Sequence, residues 1–166
     1  MVTIRPLAGP TDVANAKALF AEYAASLGID LAFQAFDAEL ASLPGAYVPP
    51  AGTLLLAEQT GEVVGCVALR SLEPPFVAEL KRLYVRPGAR GRGAGATLTK
   101  AILAWARAAG YERVRLDTLP SMGQAQALYR QLGFREIAAY RHNPVPGTVF
   151  MELDLRAPLS SRLTSA

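Results

Sequence analysis

The chain has few of the residues that form covalent or metal cross-links. Its 166 residues include one cysteine, Cys66, and one histidine, His142. A single cysteine cannot close an internal disulfide, and one residue of each type cannot supply the four ligands of a structural zinc site. We therefore expect a protein with no metal, in which Cys66 is a buried core residue of an apolar strand.

The chain also lacks a long uninterrupted apolar run, although 51% of its residues are hydrophobic. No stretch approaches the roughly 20 residues that a membrane helix needs. The segment from Met1 to Pro6 has no basic region followed by an apolar block, so it does not resemble a secretory signal. We expect a cytoplasmic protein with no membrane partner.

Lysine is scarce, and the positive charge comes from arginine. Three lysines and 14 arginines stand against 14 acidic residues, which gives a net charge of +3. So small an excess does not indicate a nucleic-acid partner. Four of the arginines nevertheless lie within eleven residues, namely Arg82, Arg86, Arg90 and Arg92. This clustering indicates a local site rather than a basic surface.

The hydrophobic periodicity predicts a single domain over residues 1–156 and a disordered tail over 157–166. We predict strands near 2–5, 53–57, 63–69, 76–85, 114–117, 135–139 and 148–155. Helices are predicted near 11–27, 36–43 and 120–132, with a further helix running from a glycine-rich loop to about 109. This order lacks the strict alternation of strands and helices that a pure parallel sheet shows.

The glycine-rich loop, residues 86–96, joins a predicted strand to a predicted helix. Its glycines let several backbone N–H groups turn toward one point, and the helix start adds unpaired amides and the positive end of the dipole. Arg90 and Arg92 add two charges. The loop therefore predicts an anion cradle suited to a pyrophosphate, and a solvated surface loop is the alternative.

A dinucleotide-binding loop is a second interpretation of the same residues. Gly91-x-Gly93-x-x-Ala96 matches the fingerprint G-x-G-x-x-G/A, and Asp117 ends the next strand where an acid could bind ribose. However, the preceding strand carries charges such as Glu79, whereas a central parallel strand is nearly all apolar. Only about 50 residues follow Asp117, which is too few for a second nucleotide-binding half and a substrate domain. An NAD(P)-binding oxidoreductase fragment stays as an alternative.

Two motifs on either side of one helix and one strand carry a resemblance to a known family. The first is Arg90-x-x-Gly93-x-Gly95, and the second is the segment 127–134 with the sequence ALYRQLGF. They resemble the R/Q-x-x-G-x-G/A signature and the L-Y-x-x-L-G-F helix end of the GNAT superfamily of acyl-CoA-dependent N-acetyltransferases. The resemblance implies an α/β fold with a mixed central sheet and helices on both faces. It also implies that acetyl-CoA donates an acetyl group directly to a primary amine in a ternary complex.

The resemblance also assigns the cofactor contacts. Leu83 and Val85 match the strand backbone that pairs with the pantetheine arm of coenzyme A, and the N–H of Leu83 matches the group that holds the thioester carbonyl. The match for the pyrophosphate-binding segment comprises Arg90, Gly91, Arg92, Gly93, Ala94, Gly95 and Ala96. One position departs from the pattern, because Met122 stands where many relatives have asparagine.

Two side chains are candidates for the proton transfers. An amine with a pKa near 10.4 must lose a proton before it attacks a thioester at neutral pH. Glu79 matches a glutamate that some members use as the base, and its alternative role is an ion pair with Lys81 or Arg82. Tyr129 matches the tyrosine near the sulfur of coenzyme A, where its phenol would protonate the leaving thiolate. The alternative role of Tyr129 is core packing.

The acceptor cannot be identified from the sequence. Residues 28–34 and 140–147 are the predicted walls of its site. Candidate side chains there and nearby are Asp30, Phe33, Tyr47, Glu73, Tyr140, Arg141 and His142. Small-molecule and peptide amines both fit this mixture of acids, cations and aromatic rings. A non-catalytic acyl-CoA-binding sensor is a further alternative, and a homodimer is left open as the commonest assembly.

Overall fold

Seven strands in the described part of the chain, residues 1–32 and 35–156 of a computed structural model, form one sheet. The strands are β1 (Val2–Pro6), β2 (Thr53–Gln59), β3 (Glu62–Glu73), β4 (Val77–Val85), β5 (Arg113–Thr118), β6 (Arg135–Ile137) and β7 (Val149–Asp154). The α-helices are α1 (Gly9–Leu27), α2 (Phe36–Ser42), α3 (Ala94–Ala108) and α4 (Gly123–Gln131). The predicted tail over 157–166 and the candidate Phe33 lie outside the described residues. Across those same ranges no helix is long and apolar enough to cross a membrane.

The sheet is mixed, as the resemblance predicts. Its strand order is β1-β2-β3-β4-β5-β7-β6, and among these strands only β4 and β5 pair in parallel. That parallel pairing covers three positions, from Val77 opposite Arg113 to Glu79 opposite Arg115. Beyond Glu79 the two strands diverge. The second half of β4 therefore has one strand edge that no described strand covers.

Helices cover both faces of the sheet, and each face has its own apolar core. The α3 and α4 face includes Leu98 and Ile102, which are fully buried together with Val114 of β5. The α1 and α2 face includes Leu19 and Phe20, which are equally buried. Burial of one such side chain contributes about 1.5–3 kcal/mol. The sheet is therefore packed between two cores, one on each face.

A bulge interrupts β4 at Arg82. Cys66 of β3 lies opposite Tyr84, but Ala68 lies opposite Lys81, so β4 contains one extra residue there. Arg82 has a φ of 61°, which is uncommon for a residue other than glycine. Its guanidinium donates to both carboxylate oxygens of Glu39 in α2, at 2.8 and 3.1 Å. These bonds hold the backbone in the strained conformation.

The loop after β4 has the predicted strand–loop–helix form. Residues Pro87–Ala89 form a short 3-10 turn, and α3 begins at Ala94. Gly91 and Gly93 have φ values of 82° and 81°, which L-residues with a side chain adopt only at a cost. The glycines are therefore required by the path that the backbone takes into α3.

Candidate active site

A cleft of about 540 Å³ opens where β4 and β5 separate. We call it the β4–β5 cleft. Its walls are residues 83–85 of β4, the start of α3, residues 121–125 at the start of α4, and the last turns of α1. The structure thus brings together most of the predicted cofactor contacts, including Leu83, Val85 and Arg90.

The start of α3 presents unpaired amides at one end of this cleft. The first backbone bond of the helix runs from Thr97 N–H to the Gly93 carbonyl, so the preceding amides of Ala94, Gly95 and Ala96 have no helical partner. Within the described residues, 1–32 and 35–156, no side chain caps this helix. The positive end of a helix dipole and three free N–H groups form a site that suits a phosphate anion.

Arg90 and Arg92 differ in their relation to the cleft. The Nε of Arg90 donates to the Val85 carbonyl at 2.8 Å, and its guanidinium carbon lies 5.7 Å from the centre of the Tyr84 ring. Arg90 is therefore anchored at the cleft wall. Arg92 is exposed and lies outside the lining of the cleft. Ala96 also lies outside the lining of the cleft. The group of Ala96 that suits an anion is its backbone N–H.

The uncovered edge of β4 forms the long wall of the cleft. An extended chain with amide groups can pair with such an edge as an additional strand does. The two amides of a pantetheine arm have this character. Leu83 follows the bulge directly, so its backbone lies where the strand is distorted. The free amides of α3, the Arg90 charge and this edge together fit coenzyme A.

A small cavity of about 50 Å³ lies deeper between the strands, and we call it the junction cavity. It is lined by Tyr23, residues 80–83, residues 116–118, Met122, Ala125 and Tyr129. It shares Tyr23, Leu83, Met122 and Ala125 with the β4–β5 cleft. Met122, at the position where many relatives have asparagine, directly precedes α4 as its N-cap residue, and its sulfur accepts a hydrogen bond from the Thr118 hydroxyl at 3.6 Å.

Tyr129 contributes a buried hydroxyl to the junction cavity. The residue is 5% exposed, and its ring contacts Phe134 at a centroid distance of 5.4 Å. Among residues 1–32 and 35–156 the hydroxyl has no hydrogen-bond partner. Burial raises the pKa of Tyr129 above its ordinary value, so the phenol keeps its proton at neutral pH. A buried O–H without a partner is costly unless a ligand supplies one.

Glu79 lies at the base of the gap, with its side chain 1% exposed. Arg70 Nε donates to one of its carboxylate oxygens at 3.0 Å, and the Tyr140 hydroxyl donates to the other at 2.7 Å. Arg141 also donates to that second oxygen. Burial acts to raise the pKa of Glu79, but the bonds from Arg141 and Tyr140 and the charge of Lys81 outweigh it, so the pKa is lowered.

These contacts replace the pairing that the sequence suggested as the alternative role for Glu79. Arg82 bonds to Glu39 instead, and Lys81 lies 3.9 Å from that same Glu39. The partner missed by the sequence reasoning is Arg70, which faces Glu79 directly in the β3–β4 pairing. Counting along the hairpin from its turn would have placed Ser71 there instead, because the register shifts by one residue between Ser71 and Glu73.

A second cleft, of about 420 Å³, lies on the α2 side of the sheet, and we call it the cationic cleft. It runs between α2 and residues 43–47 on one side and Arg70, Lys81, Arg141 and His142 on the other. Tyr47, Arg141 and His142 were predicted acceptor residues and line this cleft.

Two other predicted acceptor residues have local roles elsewhere. Asp30 accepts a hydrogen bond from the Ala32 amide at 2.8 Å. Glu73 forms an ion pair with Arg115 at 2.9 Å. Neither lines the cationic cleft.

Lys81 connects the cationic cleft with the junction cavity, because it lines both. Its side chain is 9% exposed, and its ammonium makes no hydrogen bond in the part of the chain that the structure describes. Burial, followed by the nearby charge of Arg82, lowers the pKa of Lys81 to about 8. The three cavities are therefore neighbours along β4, with the junction cavity sharing lining residues with both of the clefts.

Comparison with known proteins supports the same chemistry. A profile described as the Acetyltransferase (GNAT) family matches residues 17–134. An uncharacterized N-acetyltransferase of Schizosaccharomyces pombe is 39% identical over 155 residues, which span 93% of this chain and 95% of that protein. Human N-acetylaspartate synthetase is 34% identical over 114 residues, which span 68% of this chain and 38% of the human protein.

The fold is also found among solved structures. A Salmonella typhimurium protein provisionally described as an acetyltransferase, and solved with its cofactor acetyl-CoA, superposes with a TM-score of 0.70. The match covers 93% of this chain and 94% of that protein at 22% sequence identity. This similarity confirms the fold that the two motifs implied.

Proposed function

The chain belongs to the GNAT acetyltransferase family and is an acetyl-CoA-dependent N-acetyltransferase, and from this premise we propose that its acceptor is a small-molecule primary amine. The observation that carries the proposal is the series of neighbouring cavities along β4. The β4–β5 cleft shares four lining residues with the junction cavity, and the cationic cleft shares Lys81 with it. Donor and acceptor thus enter from opposite sides of β4 and meet beside Tyr129.

For the donor, we propose that the start of α3 and Arg90 bind the pyrophosphate of acetyl-CoA. The uncovered edge at Leu83 and Val85 pairs with the pantetheine arm, which leads inward to the junction cavity. The amide of Leu83 then donates to the thioester carbonyl oxygen, where negative charge develops during attack. A backbone donor held in place by the bulge needs no reorganisation, and one such donor typically contributes about 3 kcal/mol to catalysis.

Acetyl-CoA supplies an acyl thioester, and the reaction replaces its C–S bond with a C–N bond. The amine nitrogen donates its lone pair to the carbonyl carbon and loses one proton. The sulfur leaves with the electron pair of the C–S bond and gains one proton, so the products are the acetamide and free coenzyme A. We propose that the Tyr129 hydroxyl donates the proton to sulfur, because it is a buried O–H beside Leu83 without a partner in residues 1–32 and 35–156.

Glu79 is our proposed acceptor for the proton that leaves nitrogen. Both of its oxygens are bound by donors, so the proton reaches it through the Tyr140 hydroxyl or a water rather than by direct contact with the amine. Its lowered pKa keeps it ionised at neutral pH. A carboxylate with a lowered pKa is a weak base. A further feature of the site must therefore help the amine of the acceptor to lose its proton.

A small acceptor is supported by the size of the cationic cleft, about 420 Å³, which is in the range of small-molecule pockets. The name of the human relative, N-acetylaspartate synthetase, also refers to a small amide. We further propose a cytoplasmic location, where acetyl-CoA is available and a thiol such as Cys66 stays reduced. Formation of a homodimer stays a prediction.

The test is a panel of amines with saturating acetyl-CoA, in which release of the coenzyme A thiol and the mass of each product are measured. We expect acetylation of at least one small amine by the wild type. Tyr129→Phe should lower kcat about 100-fold while the Kd for acetyl-CoA stays unchanged, since general acid catalysis contributes at least that much. Wild-type kcat in that variant would remove Tyr129 from the mechanism.

The same panel tests the sensor alternative. A sensor binds acetyl-CoA, but no amine in the panel causes it to release the coenzyme A thiol. Binding measured by calorimetry without any product would therefore contradict our proposal.

A further inference from the structure

Building on the proposed function, we propose that the acceptor is an amino acid with an acidic side chain, whose carboxylates are bound in the cationic cleft by Lys81 and Arg141. The inference concerns the same site and names its substrate class. It rests on the balance of charge in the cleft and on the donors that the protein leaves unused there.

The charged groups around this cleft form two linked clusters. In one, Glu79 binds Arg70 and Arg141. In the other, Glu39 binds Arg82 and lies near Lys81. Four cationic side chains thus share two carboxylates, which leaves two positive charges without a partner within these clusters. Charges in such a half-buried place are compensated by a ligand more effectively than by water.

Lys81 and Arg141, which line the cationic cleft, have hydrogen-bond donors that no carboxylate of the two clusters uses. The Lys81 ammonium is nine-tenths buried and lies 3.9 Å from its nearest carboxylate oxygen, beyond hydrogen-bond distance. Arg141 uses one terminal nitrogen on Glu79, and its side chain is 22% exposed where it lines the cleft. A carboxylate that enters the cleft can accept from both residues, and such charge-assisted bonds are among the strongest in proteins.

The reactive form of an acidic amino acid matches this charge. Its amine must be neutral to attack, so it carries two negative charges from its two carboxylates. The same cations disfavour the ammonium form of a bound amine, since a nearby like charge lowers the pKa of an ammonium group. The cleft would therefore help to remove the proton that Glu79, as a weak base, receives. A polyamine would meet repulsion from every lysine and arginine in the cleft.

The experiment compares substrates that differ in charge at constant size, with acetyl-CoA saturating. We expect kcat/KM for L-aspartate or L-glutamate to exceed that for L-asparagine, L-glutamine and putrescine at least 100-fold. This comparison uses the unaltered protein, so it does not depend on whether any variant folds.

A variant then assigns the contact. Lys81→Met keeps the apolar stem and removes the charge, so it should raise the KM for the acidic amino acid at least tenfold. The KM for the matching amide, which keeps the α-carboxylate but lacks the side-chain charge, should rise less, and the Kd for acetyl-CoA should not change. Lys100→Met is the matched control, because Lys100 is exposed on α3, and it should leave all of these constants unchanged.

The outcomes separate this inference from the proposed function. Acetylation of putrescine or of the amides in preference to the acidic amino acids would overturn the acceptor class but leave the small-amine acetyltransferase intact. Binding of acetyl-CoA without acetylation of any amine would overturn both. An equal loss of kcat for all amines in Lys81→Met, with unchanged KM, would show that Lys81 does not bind the acceptor.

Discussion

Glu79 has donors on both of its carboxylate oxygens, and this sets what the residue can do. It joins β4 to Arg70 of β3 and to Arg141 after β6, so it holds the wall of the cationic cleft together. A carboxylate with a lowered pKa is ionised throughout the neutral range. The negative charge of Glu79 therefore positions the two arginines at neutral pH. This role is separate from the proposed role of Glu79 as a proton acceptor during turnover.

Replacing Glu79 with glutamine should destabilise the fold in a pH-dependent way. At pH 7 the change leaves two partly exposed cations, Arg70 and Arg141, without their charged partner, and the loss of hydrogen bonds to a charged group typically costs about 1.5–3 kcal/mol in unfolding free energy. The folded pKa lies below the ordinary value, near 4.3 in unfolded chains, so the stabilisation is complete above that value and is lost as the pH falls through the folded pKa. Urea unfolding at a series of pH values measures the difference between the two proteins.

Glu136→Gln is the matched control, because Glu136 is exposed in β6, and it should shift stability by less than about 0.5 kcal/mol at every pH. A gap between Glu79→Gln and the wild type that stays constant from pH 7 to the acid limit of the native state would contradict an ionic role.

Single residues were predictable from the sequence where a local motif marks them. Tyr129 lies in such a motif, and the residue lines the junction cavity. Arg70 and Arg141 could not be placed in the same way, since they approach Glu79 only through pairing across β3 and through the loop after β6. Contacts of this kind depend on tertiary geometry that the local pattern does not encode.

At the scale of elements, the loop into α3 was predictable and the bulge in β4 was not. The loop requires positive φ at Gly91 and Gly93, so glycine itself marks the conformation. At Arg82 a positive φ occurs with an ordinary side chain, because Glu39 binds the guanidinium and Cys66 Sγ donates to the Arg82 carbonyl at 3.3 Å. The strain is thus supported by distant parts of the chain and leaves no local mark.

Replacing Gly95 with alanine should maintain or raise stability and leave the affinity for acetyl-CoA almost unchanged. Gly95 lies in the first turn of α3 and has no positive φ, and an added Cβ would meet its nearest neighbour, Val85 Cγ2, at 4.0 Å. Alanine favours a helix over glycine by up to about 1 kcal/mol, so the melting temperature should stay the same or rise. The methyl group is small, and the family signature accepts alanine as well as glycine at this position, so the Kd for acetyl-CoA should stay close to the wild-type value.

Gly88→Ala serves as the control for Gly95→Ala. A methyl group added at Gly88 would also enter open space, but Gly88 lies outside the cleft lining, so the Kd of this variant for acetyl-CoA should match that of the wild type. Calorimetry on the three proteins measures the affinities. A large loss of affinity in Gly95→Ala alone would contradict the match of Gly95 to the G/A position of the signature.

At the scale of the whole molecule, the separation of β4 from β5 organises function. Two cores on opposite faces hold the sheet, and the parallel pairing of β4 with β5 stops after three positions. The order of strands and helices and the helix-bearing faces could be predicted from periodicity and family motifs. The neighbouring cavities could not, because their existence depends on the divergence of two strands and on the register that brings Lys81 between them.

Because the β4–β5 cleft fits acetyl-CoA, this ligand should raise the melting temperature more than other pyrophosphate-containing ligands do. A ligand that binds only the native state contributes about 2.7 kcal/mol at 100 times its Kd. For a chain of this size that corresponds to a rise in melting temperature of about 5–10 °C.

NADPH also carries a pyrophosphate, but it has no amide-bearing arm to pair with the edge at Leu83 and Val85, so it should give a much smaller shift at equal concentration. Scanning fluorimetry with acetyl-CoA, coenzyme A and NADPH measures the difference. Equal shifts for NADPH and acetyl-CoA would mean that the pyrophosphate alone is recognised and that the strand edge contributes nothing to binding.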